Sequence, residues 1–517
     1  MKSLFAVIVF FLPASPLFAE LKLPSVFSDH MVLQQKQPIP VWGWAHAGDE
    51  VLVQFKGQEK SVNAGGDGRW KVRLDAVDAS AEPALFTVRA GDAVITLSDV
   101  LVGEVWVCSG QSNMDWSMSR SKDARQEIAA ANYPNIRLFK VARKSIPEPQ
   151  VDCEGSWSRC HSDLAAGFSA VGFFFGRQLH TTLQVPVGLI HTAWGGTPSE
   201  GWTRRGAIEV DESMKPLLDR WDQMVQDKKD GVLEKRHQER IAKWKESKAK
   251  AEAENKPVPR QPRKQSNPEN APGRPGNLYN GMIAPLIPFA IKGAIWYQGE
   301  ANQSRAFQYR TLFPMLIKNW RDDWEQGEFP FYYVQIANFL SQNDEPMESS
   351  WAEVREAQSM AMDKLEHVGQ AVIIDIGMAR DIHPKNKQDV GKRLARWALV
   401  KDYGHDFVHT GPIFDRMEIK GNKAILSFKE VGSGLMAWDR QQLSGFAVAG
   451  EDKKFVWATA KIKGRDTVEV WCDAVPSPLA VRYGWADNPD ANLFNREELP
   501  ACPFRTDDWP GITVNNH

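Results

Sequence analysis

Glu104-Val105-Trp106-Val107-Cys108, followed at once by Ser109-Gly110-Gln111-Ser112-Asn113-Met114, is an apolar run of strand length that ends in small and polar residues. The pattern recurs downstream. Residues 185–191 lead to Ala193-Trp194-Gly195-Gly196-Thr197-Pro198, and residues 293–297 lead to Gln298-Gly299-Glu300. Residues 331–336 run into Ala337-Asn338, and residues 371–376 into Gly377-Met378-Ala379-Arg380-Asp381-Ile382-His383-Pro384. Between these runs, residues 172–183, 310–324, 351–365 and 388–400 carry apolar side chains at helical spacing. Short strands alternating with helices predict an α/β fold with a mostly parallel sheet over residues 101–410. Ligands of open α/β sheets bind beyond the carboxyl ends of the strands, so these loops are the expected site.

The flanks read differently. Residues 20–100 predict a small antiparallel β domain, with strands at 50–55, 70–74 and 84–88 and a turn at Gly65-Gly66-Asp67-Gly68. Pro38-Ile39-Pro40-Val41-Trp42-Gly43-Trp44 suits an edge strand, because proline cannot donate to a central ladder. Residues 411–517 predict a second β domain, with strands at 424–428, 446–448, 461–463 and 467–471. Residues 208–275 interrupt the α/β pattern. They are dense in charged residues through Lys250 and rich in Pro, Asn and Arg beyond it. That composition predicts a solvated helical insertion followed by a linker, with a lid or docking arm as the functional alternative.

Met1-Lys2, the apolar run from Leu4 to Leu12 and the small residue Ala19 predict a secretory leader over residues 1–19, hence an exported protein, periplasmic or extracellular. The leader is too short to span a bilayer, and no later stretch suits one. The formal net charge of −2 gives no reason to expect nucleic acid or a membrane surface as partner. Export permits disulfides. Proximity in sequence allows Cys153 with Cys160 and Cys472 with Cys502, although spacing alone does not fix the connectivity, and Cys108 reads as a buried, inert thiol. The chain holds 20 Trp against 8 Tyr, which fits both stacking on sugar rings and the cores of β-rich domains.

Ser112 is not in the nucleophile elbow of α/β-hydrolases, because Met114 stands where that motif needs glycine. A serine nucleophile needs a base, itself oriented by a third group. His383 is the candidate base and Asp381 the nearest carboxylate to orient it. Taken singly, the two motifs also fit a turn serine and a loop leading into a helix.

Taken together, Gly110-Gln111-Ser112-Asn113-Met114, Trp194-Gly195-Gly196-Thr197, Trp296-Tyr297-Gln298-Gly299-Glu300 and Asp381-Ile382-His383-Pro384 are more specific. With them the chain resembles the sialate O-acetylesterases and related carbohydrate acetylesterases, within the SGNH-hydrolase class. The resemblance runs from Pro24-Ser25-Val26-Phe27 to Arg482-Tyr483-Gly484-Trp485. It implies an SGNH-like three-layer catalytic domain between the β domains, and a carboxylic-ester hydrolase acting on acetylated carbohydrate without metal or cofactor. It implies Ser112 as nucleophile, His383 as base and Asp381 as its orienting group. The oxyanion would be held by the backbone N–H of Ser112, a backbone N–H of Gly195 or Gly196, and the Gln298 amide. Gln111, Asn113, Trp194 and Glu300 would contact substrate.

Two positions depart from the class. Gln298 stands where the class has Asn, and Arg380 stands where it has the orienting Asp. Asp375, Glu300 or an unassisted Ser112–His383 pair therefore remain alternatives to Asp381. The motifs report acyl chemistry and not the sugar, which leaves an acetyl-xylan esterase as one rival. A glycan-binding protein with a decayed site is a rival of another kind, against which the intact Ser112, Gln298 and His383 argue.

Overall fold

The computed structural model describes residues 20–264 and 267–517. The expected leader lies outside the described residues. The central sheet is built from β1 (Ala93–Gly110), β2 (Tyr133–Lys140), β3 (Trp157–Cys160), β4 (Val187–Ala193), β5 (Gly293–Tyr297), β6 (Phe331–Val334) and β7 (Val368–Ala371). Their order is β7-β6-β5-β1-β4-β2-β3, parallel throughout except for the antiparallel edge strand β3.

β1 is 18 residues long and crosses the domain boundary expected after residue 100. Its first half pairs antiparallel with Ser80–Ala90, and its second half lies between β4 and β5. Burial explains the two roles. Residues 93–99 alternate between exposed and half-buried, as in a sheet with one wet face, whereas residues 100–110 are buried without interruption. One strand thus roots the N-terminal β unit in the parallel sheet.

The longer helices are α1 (Ala170–Leu183), α2 (Lys215–Lys229), α3 (Val232–Ala253), α4 (Ala306–Trp324), α5 (Ser350–Ser359) and α6 (Lys387–Lys401). α1 and α6 cover one face of the sheet, and α4 and α5 the other. Alternate strand residues point to opposite faces. Trp106, Cys108, Ile295 and Tyr332 meet Phe174 and Phe175 of α1 and Leu394 of α6. Val105, Val107, Trp296 and Phe331 belong to the other core, with Phe313, Ile317 and Trp320 of α4.

In the insertion, α2 and α3 pack against each other as a helical hairpin. α2 anchors it through Leu217 and Leu218, which pack with Leu312 of α4, while Ala251 is the buried residue of α3. Beyond residue 411 the chain forms small antiparallel sheets around their own apolar cluster.

The structure corrects several expectations. The strand expected at 371–376 lies at Val368–Ala371. Val372 and Ile374 are buried because they pack with Cys502, not because they lie in the sheet. β2 and β3 have no counterpart among the expected strands. All five cysteines are free. Cys153 and Cys160 lie in different cores, and Cys502 is enclosed by Gln335, Gln370 and Ser359 while Cys472 is half-exposed.

Candidate active site

β4 and β5 flank β1 on opposite sides, although both follow it in the chain. The loops beyond three adjacent carboxyl ends therefore open onto one crevice. Main-chain bonds tie them together: Gln111 N–H donates to the Tyr297 carbonyl at 2.9 Å, and Trp194 N–H to the Gly110 carbonyl at 3.1 Å. Gly110 has φ +139, and a Cβ there would lie 2.2 Å from the Tyr297 carbonyl oxygen. Only glycine allows the chain to turn at this point, and the turn delivers Ser112 to the crevice.

His383 arrives from the loop after β7. Its Nε2 lies 2.9 Å from Ser112 Oγ. Asp381 Oδ1 accepts the backbone N–H of His383 at 2.9 Å and lies 3.3 Å from its Nδ1. The tautomer that serves both contacts carries its proton on Nδ1 and leaves Nε2 free to accept from the serine. The other carboxylates are engaged elsewhere. Asp375 forms a two-pronged ion pair with Arg393, at 2.6 and 2.7 Å, and Glu300 accepts from Asn113.

Two further groups frame the imidazole. The Trp116 ring stacks on His383, with centroids 4.8 Å apart and planes at 17°. The exposed Arg120 places its guanidinium 4.1 Å from the Trp116 ring centre. Burial draws the His383 pKa below its ordinary 6.5; Asp381 opposes that shift, and Lys387 and Arg120 reinforce it. Neither the aromatic nor the cation is among the expected site residues, although Trp116 stands only four residues beyond Ser112.

Among the described residues, none accepts a hydrogen bond from the backbone N–H of Ser112, Gly195 or Gly196. A Cβ on Gly195 would lie 3.2 Å from Ser112 Cβ, so that loop passes directly beside the serine. These amides are available to a developing negative charge. Gln298 is not placed for that task. It is wholly buried, its Nε2 donating to Asn302 Oδ1 at 2.6 Å and more weakly to the Thr197 carbonyl at 3.4 Å, while its Oε1 accepts from the Tyr309 hydroxyl. The side chain braces the β4 and β5 loops from behind.

Three of the expected substrate contacts are likewise internal. Gln111 Oε1 accepts the Ala301 N–H at 3.2 Å. Asn113 and Glu300 are buried and bonded to each other at 2.6 Å. Trp194 differs: it is half-exposed beside the serine loop, with the Arg143 guanidinium 5.7 Å from its ring centre and Arg143 in turn paired with Asp115.

A hydroxyl, an imidazole, a carboxylate and unpaired amides converging at strand ends define the class, a serine hydrolase. Comparison with known proteins narrows it. The profile of the family described as carbohydrate esterase, sialic acid-specific acetylesterase, matches residues 102–248 and 268–399, and the chain belongs to that family. It is 30% identical to a sialate O-acetylesterase of Rattus norvegicus, over 93% of this chain and 94% of the rat protein. The corresponding protein of Homo sapiens is 28% identical, over 96% and 94%. The crystal structure of a carbohydrate acetylesterase from Xanthomonas citri matches with a TM-score of 0.80 and 38% identity, covering 95% of this chain and all of that one.

Proposed function

We propose that this chain is an exported serine esterase of the SGNH class, with a three-layer catalytic domain, that removes O-acetyl groups from sialic acids. The observation that carries the reading is the 2.9 Å contact between Ser112 Oγ and His383 Nε2 at the strand ends. Ser112 attacks the acetyl carbonyl as His383 takes its proton, and Asp381 holds the other ring nitrogen so that the imidazolium is stabilised. The tetrahedral oxyanion is met by the N–H groups of Ser112 and of Gly195 or Gly196, each worth roughly 3 kcal/mol when well aimed. His383 then protonates the departing sugar oxygen, and a water activated by the same nitrogen releases acetate.

The sialate assignment is supported by the family and by full-length likeness to mammalian sialate O-acetylesterases. Export is supported by the leader-like residues 1–19 and is checked by sequencing the N-terminus of the secreted protein, where Glu20 is expected first. The function is tested with a panel of O-acetylated sialic acid, acetylated xylan and acetylated neutral monosaccharides. Highest kcat/KM on the sialic acid is expected. A preference for xylan would replace the substrate while keeping the chemistry.

A further inference from the structure

We propose that Lys387, Asn113 and Glu300 form a buried positioning clamp that holds the Ser112 and His383 loops together and keeps His383 in its neutral, proton-accepting form. The proposal rests on the Ser112–His383 reading above and adds residues that touch neither substrate nor the reacting atoms.

Asn113 follows Ser112 in the chain, and Lys387 is the first residue of α6, four positions beyond His383. Lys387 is wholly buried, and its Nζ donates to Asn113 Oδ1 at 2.5 Å. The Asn113 Nδ2 donates in turn to Glu300 Oε1 at 2.6 Å and to the Ile382 carbonyl at 3.1 Å. The amide thus passes hydrogen bonds from cation to carboxylate and fastens the residue after the serine to the residue before the histidine. The Lys387 ammonium also sits 5.0 Å from the Tyr297 ring centre and 5.9 Å from that of Trp116, the ring stacked on His383.

This is a costly place for a lysine. Taking its charge out of water is unfavourable, and the N-terminus of a helix disfavours cations. Helix stability therefore does not explain the residue, whereas its partners at both reacting loops do. The charged groups acting on His383 are Asp381, Lys387 and Arg120; those acting on Lys387 are Glu300, Asp381 and Arg120. A buried ammonium penalises a second positive charge on the nearby imidazole, so Lys387 and Arg120 lower the His383 pKa and Asp381 raises it. Burial brings Lys387 itself down to about 7 and pushes Glu300 up.

The test is the ring titration of His383 by NMR on the full chain with ¹⁵N-labelled histidine, its signal assigned by its loss in H383Q. K387M is expected to raise the His383 pKa by roughly half a unit or more, and to move the acid limb of kcat/KM upward with it. N113A is expected to lower kcat on the order of 10²-fold with little change in KM, because the loops lose their shared bond. Should K387M fail to fold, K387M/E300Q, which removes both buried charges together, is compared with the native chain, and the double variant is expected to titrate higher. An unchanged or lower His383 pKa on removal of the lysine overturns the proposal. The titration is read without substrate, so it decides the clamp whether or not the chain releases acetate.

Discussion

Asn113 Nδ2 lies 3.1 Å from the carbonyl oxygen of Ile382, so the neighbour of the serine is bonded to the neighbour of the histidine. The two are 269 residues apart in sequence. Ser112 Oγ and His383 Nε2 therefore need not hold their own loops together, and their 2.9 Å contact is left for chemistry. On the far side, Asp381 Oδ1 holds both the backbone and the ring of His383. The reacting pair is braced from two directions by groups that do not react.

Asp381→Asn removes the acceptor at His383 Nδ1 and offers an amide that favours the wrong tautomer. Turnover is expected to fall on the order of tenfold or more, with the fold intact by circular dichroism. Unchanged steady-state kinetics would reduce the machinery to the Ser112–His383 pair alone.

The pH profile has a definite sign. The base works only when His383 is neutral, so activity is full above its pKa and lost as pH falls through it. Burial places that pKa below 6.5, and the acid limb of kcat/KM is expected below that pH. A limb lying above it would show that another group controls the acid side.

His191, at the inner end of the Trp194 loop, is wholly buried and held neutral down to about 3. The unfolded chain takes up this proton near 6.5 and the folded chain does not, so stability is lost as pH falls across that interval. The contribution is about 1.4 kcal/mol per pH unit from this one group. Denaturant titrations at several pH values are expected to show a shallower acid slope in His191→Leu, and identical slopes would remove the assignment.

Arg355 on α5 is buried, and among the described residues no carboxylate is in contact with it. Its guanidinium donates to the carbonyls of Ile336, Ala337, Ala486 and Asp487 at 2.7–3.1 Å, joining the end of β6 to the C-terminal unit. Arg355→Met strands those acceptors, and a loss of about 3–5 kcal/mol is expected in denaturant unfolding. A change of only a few tenths would mean that the joint is held by other contacts.

Much of this is legible in sequence because parallel strands are buried on both faces. Runs such as Val105-Trp106-Val107-Cys108 announce themselves, and the polar residues after them point to the crevice. β2 is hidden by Pro134 and Asn135, and β7 by Gly369 and Gln370, while the apolar residues beyond Ala371 are buried by the C-terminal unit instead. The continuity of β1 is hidden because its two halves follow different burial patterns. Polar side chains at strand ends read as facing ligand. Asn113, Glu300 and Gln298 face one another's loops instead, through partners up to 274 residues away that no local pattern reveals.

Acetate released from O-acetylated sialic acid, compared between the native chain and Ser112→Ala, addresses the nucleophile itself. Steady release by the native chain and background release by a folded Ser112→Ala is the predicted result. Full release by the variant would contradict it, since the acetyl group would then have left without the hydroxyl that stands 2.9 Å from His383 Nε2.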